Sequence, residues 1–272
     1  MPELPEVEFA ARALRRWLSG RRIVSADAPE SRVFRGSERR EFVRRLPGES
    51  LDWIERRGKY LLLAFRGGVG LLNHLGMTGK WVRVPPGALL PTHVRARLDL
   101  DSGEVVAYRD PRLFGRIAVH PADELFSLPE IRALGPDPLV DGVDAARLHE
   151  RLSRSRRPVK VALMDQGLLA GLGNIQATEA LFLAGIHPAR PASSITPQEA
   201  RQLASAILES LERTLKAQGA GDSITYVEER RAPNPFRIYG RAGSPCPRCG
   251  TTIEKMELGG RTSAFCPRCQ PE

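Results

Sequence analysis

The sequence predicts an α+β protein: an N-terminal helix, a run of short strands, a helical segment and a closing cysteine-paired hairpin. Three observations predict it. Residues 7–18 carry apolar side chains at helical spacing, residues 22–120 fall into short β-rich runs broken by glycine and aspartate, and all four cysteines lie in the last 27 residues as two Cys-Pro-Arg-Cys pairs.

The chain opens MPELPEVE and continues VEFAARALRRWLSG, with Val7, Ala10, Ala11, Leu14, Trp17 and Leu18 on a helical period. Gly20 suits the position just past the helix end. Glu3 and Glu6 stand near its start, where a carboxylate also suits the helix dipole. If Met1 is removed, Pro2 presents a secondary amine, which is a carbon nucleophile. RIVSA, LDWIERR, KYLLLAF and VGLLNHL then read as strands, and HVRARLDLDSGEVVAYRD alternates on both sides of Asp-Ser-Gly as a hairpin does. Strands in such a series suggest a sandwich or barrel.

Residues 121–143 are rich in Pro, Gly and Asp and read as a linker. VDAARLHERLS, VKVALMDQ and IQATEALFLAGI follow as helices. TPQEARQLASAILESLERTLKAQG is the clearest one, with Thr196, Pro197 and Glu199 as N-cap, N1 and N3 of a capping box and Gly219 beyond its end. Residues 219–236 form a long loop without periodicity.

At 272 residues the chain holds one large domain or two ordinary ones, and its 42% hydrophobic and 27% charged residues are normal for a globular protein. No apolar run approaches the roughly 20 residues that cross a bilayer, and the first thirty residues lack a secretory core, so a cytoplasmic protein is expected. The net charge of +9 fits a phosphate-bearing partner, although many basic proteins bind none.

Cys246, Cys249, Cys266 and Cys269 form C-x2-C-x16-C-x2-C, the spacing of two knuckles closing a tetrahedral zinc site. Four thiolates leave no open position, so the ion is structural. Arg241, Arg248, Arg261 and Arg268 surround it, and guanidinium groups there reach phosphates or remain solvated. Gly171 and Gly173 permit a tight turn that sets Asn174 at a helix N-terminus, either a phosphate seat or plain helix packing. Lys59 beside a glycine, His74 and Met77 in NHLGMTGKW, and Arg112 and Phe114 in DPRLFG each have an ordinary surface, core or turn reading. An arginine and an aromatic at a loop tip also suit a wedge in a base stack.

Taken in order, MPELPEVE, GKYLLL, HLGMTG, DPRLFG, DQGLLAGLGNI with EALFLAGIHP, IYGRAGSPCPRCG and GGRTSAFCPRCQ resemble the formamidopyrimidine-DNA glycosylase and endonuclease VIII family from residue 2 to residue 269. The resemblance implies a catalytic N-terminal helix on a β-sandwich (1–120), a linker (121–143), a helix–two-turns–helix domain (144–219), a lesion-covering loop (220–236) and a zinc finger (237–272). DNA would lie in the cleft between the domains. It also implies an enzyme, likewise monomeric, that excises oxidised bases from double-stranded DNA and cuts the strand.

In that chemistry Pro2 attacks the sugar carbon bearing the damaged base and forms an iminium, an electron sink for elimination of both flanking phosphates. Glu3 moves protons, Glu6 holds or orients the sugar, Lys59 assists at the lesion phosphate, and Arg261 grips the flanking phosphates. His74, His93, Arg112 and Asn174 bind backbone or opposite strand. Met77, Arg112 and Phe114 fill the space left by the extruded nucleotide. Arg156 and Lys160 are further phosphate contacts. The filling set favours the formamidopyrimidine branch. Gln176, Thr178 and the sequence of the 219–236 loop depart from the family pattern where the flipped base is expected to be handled. The competing readings are an enzyme for oxidised pyrimidines and a non-catalytic zinc-dependent binder of damaged DNA.

Overall fold

The first helix, α1 (Leu4–Leu18), starts earlier than its apolar period does, because the residues ahead of Val7 cap it. Glu6 accepts from the Glu3 N–H at 2.9 Å, and Glu3 accepts in return from the Glu6 N–H, a capping box with glutamate at both ends. Pro5 fits the first turn, where no N–H is needed. Gly20, at φ 70°, ends the helix as expected. These positions come from a computed structural model that describes residues 2–36, 38–218, 224, 226, 227, 229 and 232–272. By internal contacts the chain forms two units, residues 1–132 with 218–230 and residues 133–217 with 231–272.

In the first unit, β1 (Ile23–Asp27) and α2 (Glu38–Arg45) precede seven strands: β2 (Leu51–Arg57), β3 (Tyr60–Phe65), β4 (Val69–His74), β5 (Lys80–Val84), β6 (Val94–Leu100), β7 (Val105–Arg109) and β8 (Arg116–Pro121). They build two antiparallel four-stranded sheets, β1-β6-β7-β5 and β2-β3-β4-β8. The β6–β7 hairpin turns at Asp101–Glu104, with the Leu100 N–H donating to the Glu104 carbonyl at 2.9 Å. α1 packs on β2 and β3 of one sheet and β5 of the other. The Trp81 indole N–H of β5 donates to Asn73 Oδ1 of β4 at 2.9 Å, a direct polar tie between the sheets.

Two features of this unit are absent from the sequence reading. α2 interrupts the strands; its one buried residue is Phe42, packed on Phe34 at 5.2 Å, so it shows no apolar stripe. Residues 122–132 fold as a 3₁₀ turn (Ala122–Ser127) and a short helix, α3 (Pro129–Arg132). Leu125 is fully buried there and Phe126 stacks on Trp53 at 5.5 Å.

The second unit contains α4 (Pro138–Asp141), α5 (Ala145–Ser153), α6 (Val159–Leu163), α7 (Asn174–Ala184), α8 (Pro197–Ala217) and the hairpin β9 (Glu254–Leu258) with β10 (Arg261–Phe265). Asp144 caps α5. The box expected on α8 is present: Glu199 accepts from the Thr196 N–H at 2.8 Å and Thr196 Oγ1 accepts from the Glu199 N–H at 3.2 Å. Gly219 and much of the 220–236 loop lie outside the described residues.

α7 and α8 pack through a polar seam. Gln176 donates to Thr214 Oγ1 at 3.0 Å and accepts from Ser210 at 2.7 Å, all three side chains being buried. Thr178 donates to the Asn174 carbonyl one turn back. The Gln176 side chain therefore ties α7 to α8, and the Thr178 hydroxyl bonds within its own helix.

One turn along α7, Glu179 is fully buried and its carboxylate accepts from the Arg237, Ile238 and Tyr239 N–H groups, each at 2.9 Å, and from Arg213 of α8 at 2.6 Å. This one group joins two helices to the segment entering the C-terminal hairpin. Glu179→Ala leaves three N–H donors without their acceptor, that of Ile238 buried and those of Arg237 and Tyr239 part-buried, at a cost of about 1–3 kcal/mol for each donor kept from water. Urea unfolding of the variant should show a loss of at least about 3 kcal/mol.

Candidate active site and metal centre

At the head of α1, Pro2, Glu3 and Glu6 are all buried. Burial, and then the neighbouring Glu3 carboxylate, push Glu6 up to about 7. Two carboxylates with little access to water lie side by side there, so Glu6 can hold or release a proton near neutral pH. The Tyr226 ring is buried nearby; its hydroxyl donates to the Gly79 carbonyl at 2.6 Å, and its acidity is suppressed by burial, by Tyr108 and by the Glu6, Glu229 and Asp110 carboxylates facing it. Lys80 holds the same segment, with Nζ 3.2 Å from the Ile224 carbonyl and 2.9 Å from Glu229.

Lys59 occupies the two-residue turn between β2 and β3, after Gly58. Tyr60, next to it, pairs across the sheet with His74, whose ring meets the tyrosine edge-on at 5.0 Å. Burial, followed by the Lys59 charge, lowers His74 to about 4. Its Nδ1 accepts from the Gly76 N–H at 3.0 Å, so the neutral ring carries its proton on Nε2. His74 is thus an uncharged donor beside a charged lysine.

Met77 stands on the turn between β4 and β5, and Arg112 and Phe114 on the turn between β7 and β8. Phe114 is 56% exposed, large for an aromatic ring, and the Arg112 guanidinium lies over it at 5.0 Å. His93 is exposed with φ 64°, at the entry to β6. The sequence reading overlooked Asp110, the buried carboxylate that bonds to both of these turns. Only its place before Pro111 hints at a turn role.

In the second unit Gly171, at φ 93°, turns the chain into α7 and Asn174 is its first residue. Asn174 Oδ1 accepts from Lys160 Nζ at 2.6 Å, which leaves its amide NH2 as the group directed elsewhere. The Lys160 ammonium is buried and also donates to the Thr262 carbonyl at 3.1 Å and Ser263 Oγ at 2.6 Å. These three bonds tie Lys160 to Asn174 and to β10. Arg156 is exposed before α6, and Arg261 is exposed at the start of β10.

The sulfurs of Cys246, Cys249, Cys266 and Cys269 all lie within 4.8 Å of one another, with Cys246–Cys269 at 3.9 Å and Cys249–Cys266 at 3.5 Å. Four sulfurs about 2.3 Å from one zinc stand about 3.8 Å apart, so the cluster suits a closed tetrahedral zinc. The Arg248 N–H points at Cys246 Sγ and the Cys269 N–H at Cys266 Sγ, the backbone support a thiolate needs. Phe182, Ile238, Ile253 and Ala264 pack beneath the sulfurs. Of the surrounding arginines, Arg248 stacks on Phe182 at 4.4 Å and donates to the last carbonyls of α7, and Arg241 donates to the Phe236 and Asn234 carbonyls. Arg261 and Arg268 stay exposed.

Three family matches tile the chain: the formamidopyrimidine-DNA glycosylase N-terminal domain over residues 1–117, the H2TH domain of the same enzymes over 134–225, and the zinc finger found in FPG and IleRS over 243–271. A formamidopyrimidine-DNA glycosylase of Laribacter hongkongensis is 42% identical, covering 99% of this chain and 100% of its own, and one of Lactiplantibacillus plantarum is 36% identical, covering 98% of each. Among solved structures, the Lactococcus lactis Fpg in complex with DNA containing an abasic site superposes with a TM-score of 0.89 at 30% identity, over 99% of this chain and 100% of that one. The same protein with DNA containing an oxidised pyrimidine gives a TM-score of 0.89 at 32% identity, covering 100% of both chains.

Two outcomes test this geometry. Glu6 binds a proton more tightly folded, near 7, than unfolded, near 4.5, so its contribution to stability falls as pH rises through that interval. Glu6→Gln should flatten the decline of the thermal midpoint between pH 5 and 8, removing a difference of up to about 3 kcal/mol. Elemental analysis should find one zinc per chain, and removing it by chelation should unfold the 237–272 segment, seen as loss of amide-exchange protection at Ser263–Cys266.

Proposed function

The chain belongs to the formamidopyrimidine-DNA glycosylase family and is a DNA glycosylase of base excision repair, and we propose that it excises oxidised purines and then cuts the strand through an imine on Pro2. The observation that carries this reading is the buried Pro2–Glu3–Glu6 head of α1, with one of its carboxylates disposed to hold a proton at neutral pH.

Removal of Met1 frees the Pro2 nitrogen. Its lone pair bonds to the sugar carbon C1′ as the C1′–base bond breaks, and the base departs with the bonding electrons and takes up the proton that the Pro2 nitrogen loses. Glu3 supplies a proton to the ring oxygen as the ring opens, leaving an iminium between Pro2 and C1′. Loss of the C2′ proton to a carboxylate then expels the 3′ phosphate, and a second elimination expels the 5′ phosphate. Glu6, buried beside Glu3 and accepting the Glu3 N–H, holds the head of α1 in place. Burial strengthens each of these charges by excluding water.

The other assignments follow the same reading. Lys59 and the neutral Nε2–H of His74 face the lesion phosphate. His93 and the outward amide of Asn174 take further backbone contacts, and Arg156 and Arg261 supply exposed guanidinium groups. Met77, Arg112 and Phe114 enter the stack; the exposed aromatic with an arginine laid over it supports that role. Zinc is held by Cys246, Cys249, Cys266 and Cys269 and fixes the hairpin that bears Arg261. Domains are proposed as 1–120, 144–219 and 237–272, joined by 121–143 and by the 220–236 segment, which would cover the lesion.

Borohydride reduction should link the protein covalently to duplex DNA containing 8-oxoguanine. Pro2→Gly should lower trapping by at least about tenfold, and equal trapping would show that another amine attacks. A panel of 8-oxoguanine, formamidopyrimidine, thymine glycol and dihydrouracil duplexes should rank the purine lesions first.

A further inference from the structure

The two turns assigned to the DNA stack are fastened to one buried carboxylate. Asp110 is fully buried at the end of β7. Oδ1 accepts from the Thr78 hydroxyl at 2.6 Å and from the Arg112 N–H at 3.2 Å; Oδ2 accepts from the Gly115 N–H at 2.8 Å. Thr78 follows Met77, while Arg112 and Gly115 bracket Leu113 and Phe114. A third turn joins through the backbone, since the Asp110 N–H donates to the His93 carbonyl at 3.0 Å.

The turns also touch directly. A Cβ on Gly76, which sits at φ 67°, would lie 2.4 Å from the carbonyl carbon of Phe114, so only glycine lets the Met77 turn approach so closely. Leu113 and His93 are the two non-glycine residues with positive φ among the described residues, at 59° and 64°. Both lie within three residues of Asp110 or hydrogen-bond to it, and strained backbone of this kind persists only where its surroundings over-determine it. The Asp110 bonds on either side of Leu113 supply that constraint. A carboxylate, with two oxygens and no donor, is the side chain that can collect three donors from two turns at once.

We propose that Asp110 is a positioning residue for lesion capture: it sets Met77, Arg112 and Phe114 in one fixed array before DNA arrives, so that entry into the stack loses little conformational entropy. The inference rests on the reading of those three side chains as stack fillers. It assigns Asp110 no contact with the reacting sugar.

Asp110→Asn replaces one acceptor with a donor and turns it against an N–H or hydroxyl. Two rates are measured, excision of 8-oxoguanine from a duplex and scission of a single-stranded abasic oligonucleotide, which has no stack to enter. The expected result is a fall of about tenfold or more in the ratio of the first to the second. On the duplex, adding Asp110→Asn to Phe114→Ala should lower excision by less than about threefold further, because the array is already broken. If Asp110→Asn fails to fold, Thr78→Ala removes one of the three donors and is read by the same ratio, with a fall of about threefold expected. An unchanged ratio, or fully additive losses in the double variant, would overturn the proposal. A wild-type protein inactive on the duplex would instead overturn the functional reading beneath it.

Discussion

A carboxylate removed from water must gather hydrogen-bond donors or keep its proton, and three of the buried carboxylates meet that condition with different results. Glu179 gathers three backbone N–H groups and an arginine, and becomes the joint between α7, α8 and the C-terminal hairpin. Asp110 gathers donors from two turns and fixes their approach. Glu6 receives the Glu3 N–H and otherwise faces another carboxylate and a tyrosine, so it moves toward the protonated form. The first two arrangements spend their charge on architecture. The third leaves a group that can give and take a proton, at the point where the chain begins. Donor supply therefore separates framework from chemistry more clearly than residue type does.

What the sequence disclosed was local. The cysteine spacing, the Thr196–Glu199 box, the Asp-Ser-Gly hairpin and the stop at Gly20 are each settled within a few residues, and each is present in the fold. α2 escaped because a helix anchored by Phe42 alone has no periodic face. The start of α1 was read late because glutamate stands where serine or threonine normally caps.

Long-range partners were not legible. Lys160 and Arg248 look from the sequence like charges awaiting phosphate, yet their acceptors are a side chain on α7, the backbone and hydroxyl of β10, and the last carbonyls of α7. Most of these partners lie 65 to 103 positions away, beyond any local window of sequence. Gln176 and Thr178 stood out for their place beside the glycine turn, while the helix that absorbs Gln176 lies more than thirty residues away.

The tautomer of His74 has a consequence for how the protein would respond to ionic strength. An ammonium or guanidinium on a phosphate displaces a condensed cation, and each such exchange steepens the fall of affinity with added salt. An imidazole held neutral by burial, with its proton fixed on Nε2 by the Gly76 N–H, displaces none. A hydrogen bond from it to a phosphate would be directional and little affected by screening. Of the residues assigned to DNA, His74, like the Asn174 amide, would keep its grip in brine.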